Sequence, residues 1–133
     1  MKPTANDYGI LIIRLTLGAA LLAHGLLKYF VFTLAGTVGF FESLGLPWFT
    51  AYLVFLGEVG GGLLLIAGYQ TRLIAALMTP ILIGASVVHI PNGWVFSAQG
   101  GGWEYPIFMT ATSIALVFMG DGAISVKRLL ASK

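Results

Sequence analysis

Residues 8–32 read YGILIIRLTLGAALLAHGLLKYFVF, an apolar run interrupted only by Arg14, His24 and Lys28. About 20 apolar residues in a helix cross a hydrocarbon core about 30 Å thick, so this run predicts a transmembrane span. Three further runs of the same character follow, at about residues 50–69, 73–90 and 104–120. Backbone polar groups cannot stay unpaired in lipid, and no run alternates as a β-barrel strand does. The sequence therefore predicts an all-α membrane protein with a bundle of four transmembrane helices.

The composition of the whole chain is that of a bilayer protein. Of its 133 residues, 58% are hydrophobic and only 9% are charged, against about 25% charged in soluble domains. This length predicts one integral membrane domain over residues 1–133. The absence of cysteine excludes disulfides, thiolate chemistry, iron–sulfur clusters and covalent c-type haem. A net charge of +2 without a basic stripe argues against a nucleic-acid partner.

Lysine and arginine predict the orientation of the bundle. Four spans place both termini and the loop at residues 70–72 on one side of the membrane. The basic residues on that side are Lys2, Arg72, Lys127, Arg128 and Lys133, with Arg14 close to it. The loops at about 33–49 and 91–103 contain no lysine or arginine. The positive-inside rule then predicts that both termini are cytoplasmic. In the outer loop at 33–49, a short amphipathic helix is expected around residues 36–44, since Val38, Phe41 and Leu44 share a face.

Ionisable residues gather in the outer half of the predicted bundle. His24 and Glu58 each lie eight residues, about 12 Å, from the outer end of their spans. Every predicted helix contributes to this group, which comprises His24, Lys28, Glu58, His89 and Glu104. An ionisable side chain in a membrane costs a few kcal/mol, so such groups normally face protein and pair with one another. We therefore predict a ligand-binding or proton-handling pocket on the outer side, with walls from Gly25, Gly61, Trp103 and Tyr105; no catalytic residue is assigned.

Each of these residues also has a purely structural interpretation. Lys28 can reach the outer headgroups, and Glu58 can serve only as its ion-pair partner. His89 and Glu104 can be interfacial residues beside an aromatic belt. On the cytoplasmic side, Arg14 and Asp121 are expected to form a structural ion pair that ties the ends of the chain together.

Quinone binding and proton transfer suit the outer residues best. A quinone carbonyl needs a donor such as histidine or lysine, and its reduction needs proton delivery. No metal site is predicted, because no helix carries two ligands at metal-binding spacing and Lys28 would repel a cation. Haem bound by His24 and His89 is disfavoured, because the residue count places His89 about 12 Å shallower.

The polar positions also form an ordered set of motifs along nearly the whole chain. The motifs are Arg14-x3-Gly18-x5-His24-Gly25-x2-Lys28, Gly45-Leu46-Pro47, Glu58-x-Gly60-Gly61-Gly62-x5-Gly68-x2-Thr71-Arg72, Gly102-Trp103-Glu104-Tyr105-Pro106 and Gly120-Asp121-Gly122-x2-Ser125. This arrangement resembles the DoxX-type membrane proteins. Asp121 is a departure, since the family commonly has proline there. The resemblance implies a small, multi-pass, four-helix protein of the bacterial inner membrane, with relatives that include the DoxD subunit of thiosulfate:quinone oxidoreductase.

The leading hypothesis is a small inner-membrane component of a quinone-linked redox system, with quinone or a similar small ligand in the outer pocket. It implies no covalently bound cofactor, and it leaves open whether the chain is an enzyme by itself. The expected partners are lipids, quinone, a membrane or periplasmic redox protein and other copies of the chain. One alternative is a non-catalytic assembly subunit or chaperone whose buried charges are structural. A second is a small-molecule transporter that works as an oligomer.

Overall fold

A computed structural model describes residues 2–132, so Lys133, one of the basic residues behind the predicted orientation, lies outside the described residues. Within this range the chain forms six α-helices, one short 3-10 turn and no β-strand. The elements are α1 (Ala5–Phe30), α2 (Leu34–Ser43), α3 (Phe49–Ala67), α4 (Thr71–His89), the 3-10 turn Ile90–Asn92, α5 (Glu104–Met119) and α6 (Val126–Ala131).

The helices have the character of a small membrane bundle. Helix α1, helix α3 and helix α4 with its 3-10 turn are long and apolar enough to cross a membrane, and α5 is a shorter apolar helix of 16 residues. Large apolar side chains such as Phe30, Phe108 and Phe118 lie exposed on the outside of the bundle. An apolar exterior of this kind suits a lipid solvent. The protein is therefore an all-α membrane protein built as a helical bundle.

The long helices lie over the predicted apolar runs, with one clear difference at the first. Helix α1 begins at Ala5 rather than near Tyr8. A capping box explains the earlier start, because the Thr4 side chain accepts from the Asp7 backbone and the Asp7 carboxylate accepts from the Thr4 backbone. These bonds satisfy N–H groups that would otherwise be unpaired at the helix end.

Helices α1 and α3 touch backbone to backbone. A Cβ atom placed on Gly62 would lie 2.7 Å from the Gly18 carbonyl oxygen and 2.8 Å from the Leu22 nitrogen. Small residues allow such close approach, which drives helix association where lipid removes the hydrophobic effect. Helices α4 and α5 are joined differently, through the hydroxyl of Ser113, which donates to the Ala75 carbonyl at 2.9 Å.

Helix α2 lies in the segment where a short amphipathic helix is expected. Thr37 is its buried residue, and Val38 and Phe41 of the expected face are half-buried beside it. The Thr37 hydroxyl donates to the Thr33 carbonyl at 2.8 Å, so its polar atom is satisfied within the turn. Thr33 itself has a positive φ of 64°, which turns the chain sharply from α1 into α2.

The predicted ion pair between Arg14 and Asp121 is wrong in its partners. The buried guanidinium of Arg14 donates to the Ile124 carbonyl at 2.9 Å, and among residues 2–132 Asp121 pairs instead with Lys127 at 3.3 Å. Asp121 also accepts from the backbone nitrogen of Thr71 at the start of α4. Both predicted residues thus anchor the segment after α5, but Arg14 does so through backbone carbonyls, which the curve of that segment presents to it.

The pKa of Asp121 lies below its ordinary value. Burial raises the pKa, but hydrogen bonds from Thr71 and Lys127 favour the charged form and outweigh that effect. The stabilisation is therefore fully present above the unfolded-state pKa of about 3.9, and it is lost as the pH falls through the lower folded-state pKa.

We expect Asp121→Asn to lower the free energy of unfolding at pH 7 by less than about 1 kcal/mol, the usual size of an anion's effect at a helix N-terminus. The difference from the unsubstituted protein should shrink at pH 3, where Asp121 approaches protonation. Unfolding curves in detergent at the two pH values measure this. Glu42→Gln, at an exposed carboxylate on α2, is the control. An Asp121→Asn effect that is equal at both pH values would contradict the assignment.

Candidate functional site

Two neighbouring cavities lie among the helices at the end of the bundle that holds α2. The smaller, about 250 Å³, is called the α5 cavity; its lining residues are His24, Glu58, Leu82, Ala85, His89, Phe96, Gly101, Gly102, Tyr105, Pro106 and Met109. The larger, about 660 Å³, is called the α2 cavity; its lining residues are His24, Lys28, Phe32, Gly36, Thr37, Phe40, Phe41, Leu44, Leu46, Val54, Glu58, Pro80, Ile81, Gly84, Ala85, Val88, His89 and Gly100. The two share His24, Glu58, Ala85 and His89.

Glu58 and Lys28 form an ion pair across helices α1 and α3. The Lys28 Nζ atom lies 2.6 Å from the Glu58 Oε2 atom, and the two side chains are 17% and 8% exposed. Gly25 permits this contact, since a Cβ atom on it would lie 3.2 Å from the Glu58 Cβ atom and 2.6 Å from Val59. Gly25 therefore acts as the point of close approach between α1 and α3, and it is absent from the lining of both cavities.

His24 and His89 have the same local hydrogen bonding. His24 Nδ1 lies 2.7 Å from the Ala20 carbonyl oxygen, and His89 Nδ1 lies 2.7 Å from the Ala85 carbonyl oxygen. Because a carbonyl only accepts, Nδ1 carries the proton in each ring, and Nε2 of the neutral ring is an acceptor. A bond to the residue four positions earlier also fixes each ring's orientation. Both imidazoles thus present a second nitrogen that can take up a proton and then donate.

Tyr105 completes the wall beside His24. The two rings are stacked with their centroids 5.7 Å apart and an interplanar angle of 27°. Tyr105 is the first-turn residue of α5, so its ring links that helix to α1. A flat surface of this kind suits an aromatic or quinonoid ring.

Glu104, Trp103 and Gly61, which the sequence also assigned to the pocket, lie outside the lining of both cavities. The Glu104 carboxylate accepts a hydrogen bond from the Phe96 backbone nitrogen at 3.0 Å. The Trp103 ring packs edge-on against the Trp94 ring, with their centroids 4.4 Å apart. Both residues thereby fold the 93–103 segment back onto the start of α5. Gly61 instead meets the side chain of Met78 on α4.

His89, the last residue of α4, lines the same two cavities as His24 and Glu58. Counting residues separates it from His24 in depth, yet both imidazoles line both cavities. The folded segment explains this, because Phe96, Gly101 and Gly102 extend the α5 cavity around the end of α4. The structure therefore brings together four of the five predicted outer residues: His24, Lys28, Glu58 and His89.

Several lining residues have no counterpart in the predicted site. They are Thr37 and Phe40 on α2, Pro80, Gly84 and Ala85 on α4, and Phe96 in the following segment. The spacing of Pro80 and Gly84, four residues apart on one face of a membrane helix, was an available signal. No signal in the sequence indicated the position of Phe96, because that position depends on the fold of a segment without regular structure. In the part of the chain that the structure describes, histidine, aspartate and glutamate form no group of three able to hold a metal ion.

Comparison with known proteins gives consistent matches along the chain. A model of the family described as DoxX matches residues 9–90. "Putative oxidoreductase CatD" of Bacillus subtilis is 33% identical over 111 residues, which cover 83% of this chain and 79% of that protein. "Inner membrane protein YqjF" of Escherichia coli is 29% identical over 134 residues, covering 96% of each chain. No solved structure matches the chain significantly.

Proposed function

Because this chain belongs to the DoxX family and is a multi-pass inner-membrane protein, we propose that it is a component of a quinone-linked redox system and binds quinone, or a similar small flat ligand, in its two cavities. The observation that carries the proposal is the meeting of His24, Lys28, Glu58 and His89 at cavities whose other walls are mainly apolar and aromatic. Ligand sites in proteins commonly have about 300–1,000 Å³ and a few placed polar groups on such walls.

The side chains fit a quinone in shape and in hydrogen bonding. The Tyr105 ring, stacked on His24, offers a flat wall for a planar head. Each imidazole, once protonated at Nε2, can donate to a carbonyl oxygen. Lys28 donates one of its three N–H groups to Glu58, so its ammonium can also donate to a ligand oxygen.

A bound quinone would accept two electrons and two protons and leave as quinol. The chain's own residues would orient its carbonyls and move the protons, with Nε2 of His24 and of His89 as the atoms that release them. Glu58, as a carboxylate, would stabilise the protonated imidazoles before they release their protons. We propose that the electrons come from a membrane or periplasmic redox protein that docks on the same side. The name of the relative CatD, which includes the word oxidoreductase, supports this direction.

Extraction of bound lipid tests the proposal. The protein is purified in mild detergent, its organic extract is analysed for quinone, and a thermal shift with added decyl-tailed benzoquinone is measured. We expect quinone in the extract and a raised midpoint. His24→Ala should weaken binding about tenfold or more, because a hydrogen bond to a charged donor contributes about 1.5–3 kcal/mol.

The matched control is Glu104→Gln, which keeps an acceptor oxygen for the Phe96 backbone and lies away from both cavities. It should bind as the unsubstituted protein does. An extract without quinone and no thermal shift would contradict the proposal. If quinone did not bind and His24→Ala lowered only the stability of the protein, the polar residues of the cavities would have a structural role, as in an assembly subunit.

A further inference from the structure

The two cavities share His24, Glu58, Ala85 and His89 and differ in the rest of their lining. In the α5 cavity, Glu58, Leu82 and Met109 are buried, with 6%, 3% and 5% exposure, and the stacked His24 and Tyr105 stand beside them. The α2 cavity leads from the shared residues to a rim of Phe32, Phe40, Leu44 and Leu46, all of them exposed apolar side chains. The α2 cavity thus ends at the apolar exterior of the bundle, whereas the α5 cavity holds the stacked rings of His24 and Tyr105.

The hydroxyl in the α2 cavity is engaged within its own turn, and the ammonium, which keeps further N–H donors, lies beside the shared residue Glu58. The Thr37 hydroxyl donates to the Thr33 carbonyl, and Lys28 pairs with Glu58. Away from the shared residues, the α2 cavity therefore presents mainly aliphatic and aromatic surface. Such surface would hold a flexible hydrocarbon chain and would leave a carbonyl head without a donor.

Gly84 marks the wall of the α2 cavity on α4. A Cβ atom on Gly84 meets no heavy atom within 4 Å among residues 2–132, whereas one on Gly18, Gly25 or Gly62 meets an atom closer than 3 Å. The missing side chain leaves open space next to Pro80 and Val88, on the face that looks toward α2. The width of the α2 cavity thus depends on the absence of a side chain at this position.

We infer that the two cavities are the two parts of one binding site for an amphiphile, with its hydrogen-bonding ring in the α5 cavity and its single apolar tail in the α2 cavity, passing Gly84 and leaving between α2 and α4 into the lipid. The inference rests on the proposed function and adds to it the ligand's orientation, a tail requirement and lateral entry from the membrane. A polar head reaches the histidines by this path without crossing water.

The test compares two probes and two matched variants. The probes are a benzoquinone with a decyl tail and the same ring with a methyl group in place of the tail, both titrated by quenching of tryptophan fluorescence in one detergent. The variants are Gly84→Leu and Gly60→Leu, at helical glycines that are both free of neighbours within 4 Å, of which only Gly84 lines a cavity. Leucine is the better helix former at both positions, so loss of folding is not expected.

We expect Gly84→Leu to weaken binding of the tailed probe by about tenfold or more, about 1.4 kcal/mol. Its affinity for the tail-free probe should stay within about twofold of that of the unsubstituted protein. Gly60→Leu should change neither. Weakening of both probes by Gly84→Leu would place the ring in the α2 cavity and overturn the inference, and so would weakening of neither. If neither probe binds the unsubstituted protein, the proposed function itself fails.

A second measurement does not depend on any variant. A tailed quinone with a photoreactive group at the end of its tail should label peptides of α2 and of the second half of α4. The same group on the ring should label peptides of the first half of α5. Exchange of the two patterns would overturn the orientation while leaving quinone binding intact.

Discussion

Glu58→Met is expected to lower the free energy of unfolding by about 3 kcal/mol, because it leaves the ammonium of Lys28 partly buried without its partner. The loss should fall at the lower end of the range for broken buried pairs, since Lys28 is 17% exposed and its long side chain can move toward the outer surface. Thermal and denaturant unfolding in detergent measure it. Glu104→Gln, at an equally outer carboxylate, should change stability by less than about 0.5 kcal/mol.

The double variant Lys28→Met/Glu58→Met separates structure from function. Replacing a buried ion pair by apolar side chains of similar volume is often neutral, so the double variant should regain most of the lost stability. It should still fail to bind quinone, because the negative group beside the two imidazoles is gone. A double variant that is stable and binds quinone normally would show that the pair only specifies helix packing.

Helical spacing and depth were enough to predict that His24, Lys28 and Glu58 lie close together. His24 and Lys28 share a face of α1, and counting residues placed Glu58 at the depth of His24. In the structure the three residues line the same cavity. Counting works there because rigid helices of similar tilt convert sequence position directly into depth.

Counting fails where the chain leaves the helices. Trp103 and Glu104 follow a segment whose Gly100 and Gly101 have positive φ, and this segment folds back over the end of α4. No periodic pattern encodes such a path. The sequence therefore did not predict that Phe96 lines a cavity, or that Glu104 does not. The pairing of Arg14 with Asp121 fails for a related reason. Complementary charge suggests a partner, but Nη2 of the buried guanidinium donates to backbone carbonyls, whose positions only the folded segment reveals.

Gly62→Ala is expected to destabilise the bundle by about 1–3 kcal/mol or more, because its added methyl would meet backbone atoms rather than a flexible side chain. The Gly18 carbonyl and the Leu22 nitrogen would lie at 2.7 Å and 2.8 Å from it, so α1 must move away from α3. Thermal unfolding in detergent gives the loss. Gly60→Ala, two residues earlier on the same helix and without a neighbour within 4 Å, should be neutral or slightly stabilising, since alanine is the better helix former.

Gly62→Ala should also weaken ligand binding at the two cavities, because the contact between α1 and α3 holds Lys28 against Glu58. A shift of α1 that accommodates the methyl group at Gly62 is transmitted along a rigid helix to Lys28, which lies on the same helix as Gly18. A longer distance between Lys28 and Glu58 changes the charge beside the imidazoles, so quinone binding should weaken even at temperatures where Gly62→Ala remains folded. Gly62→Ala protein that is less stable yet binds normally would mean that the two ends of the α1–α3 interface move independently, and that the ion pair is positioned by Gly25 alone.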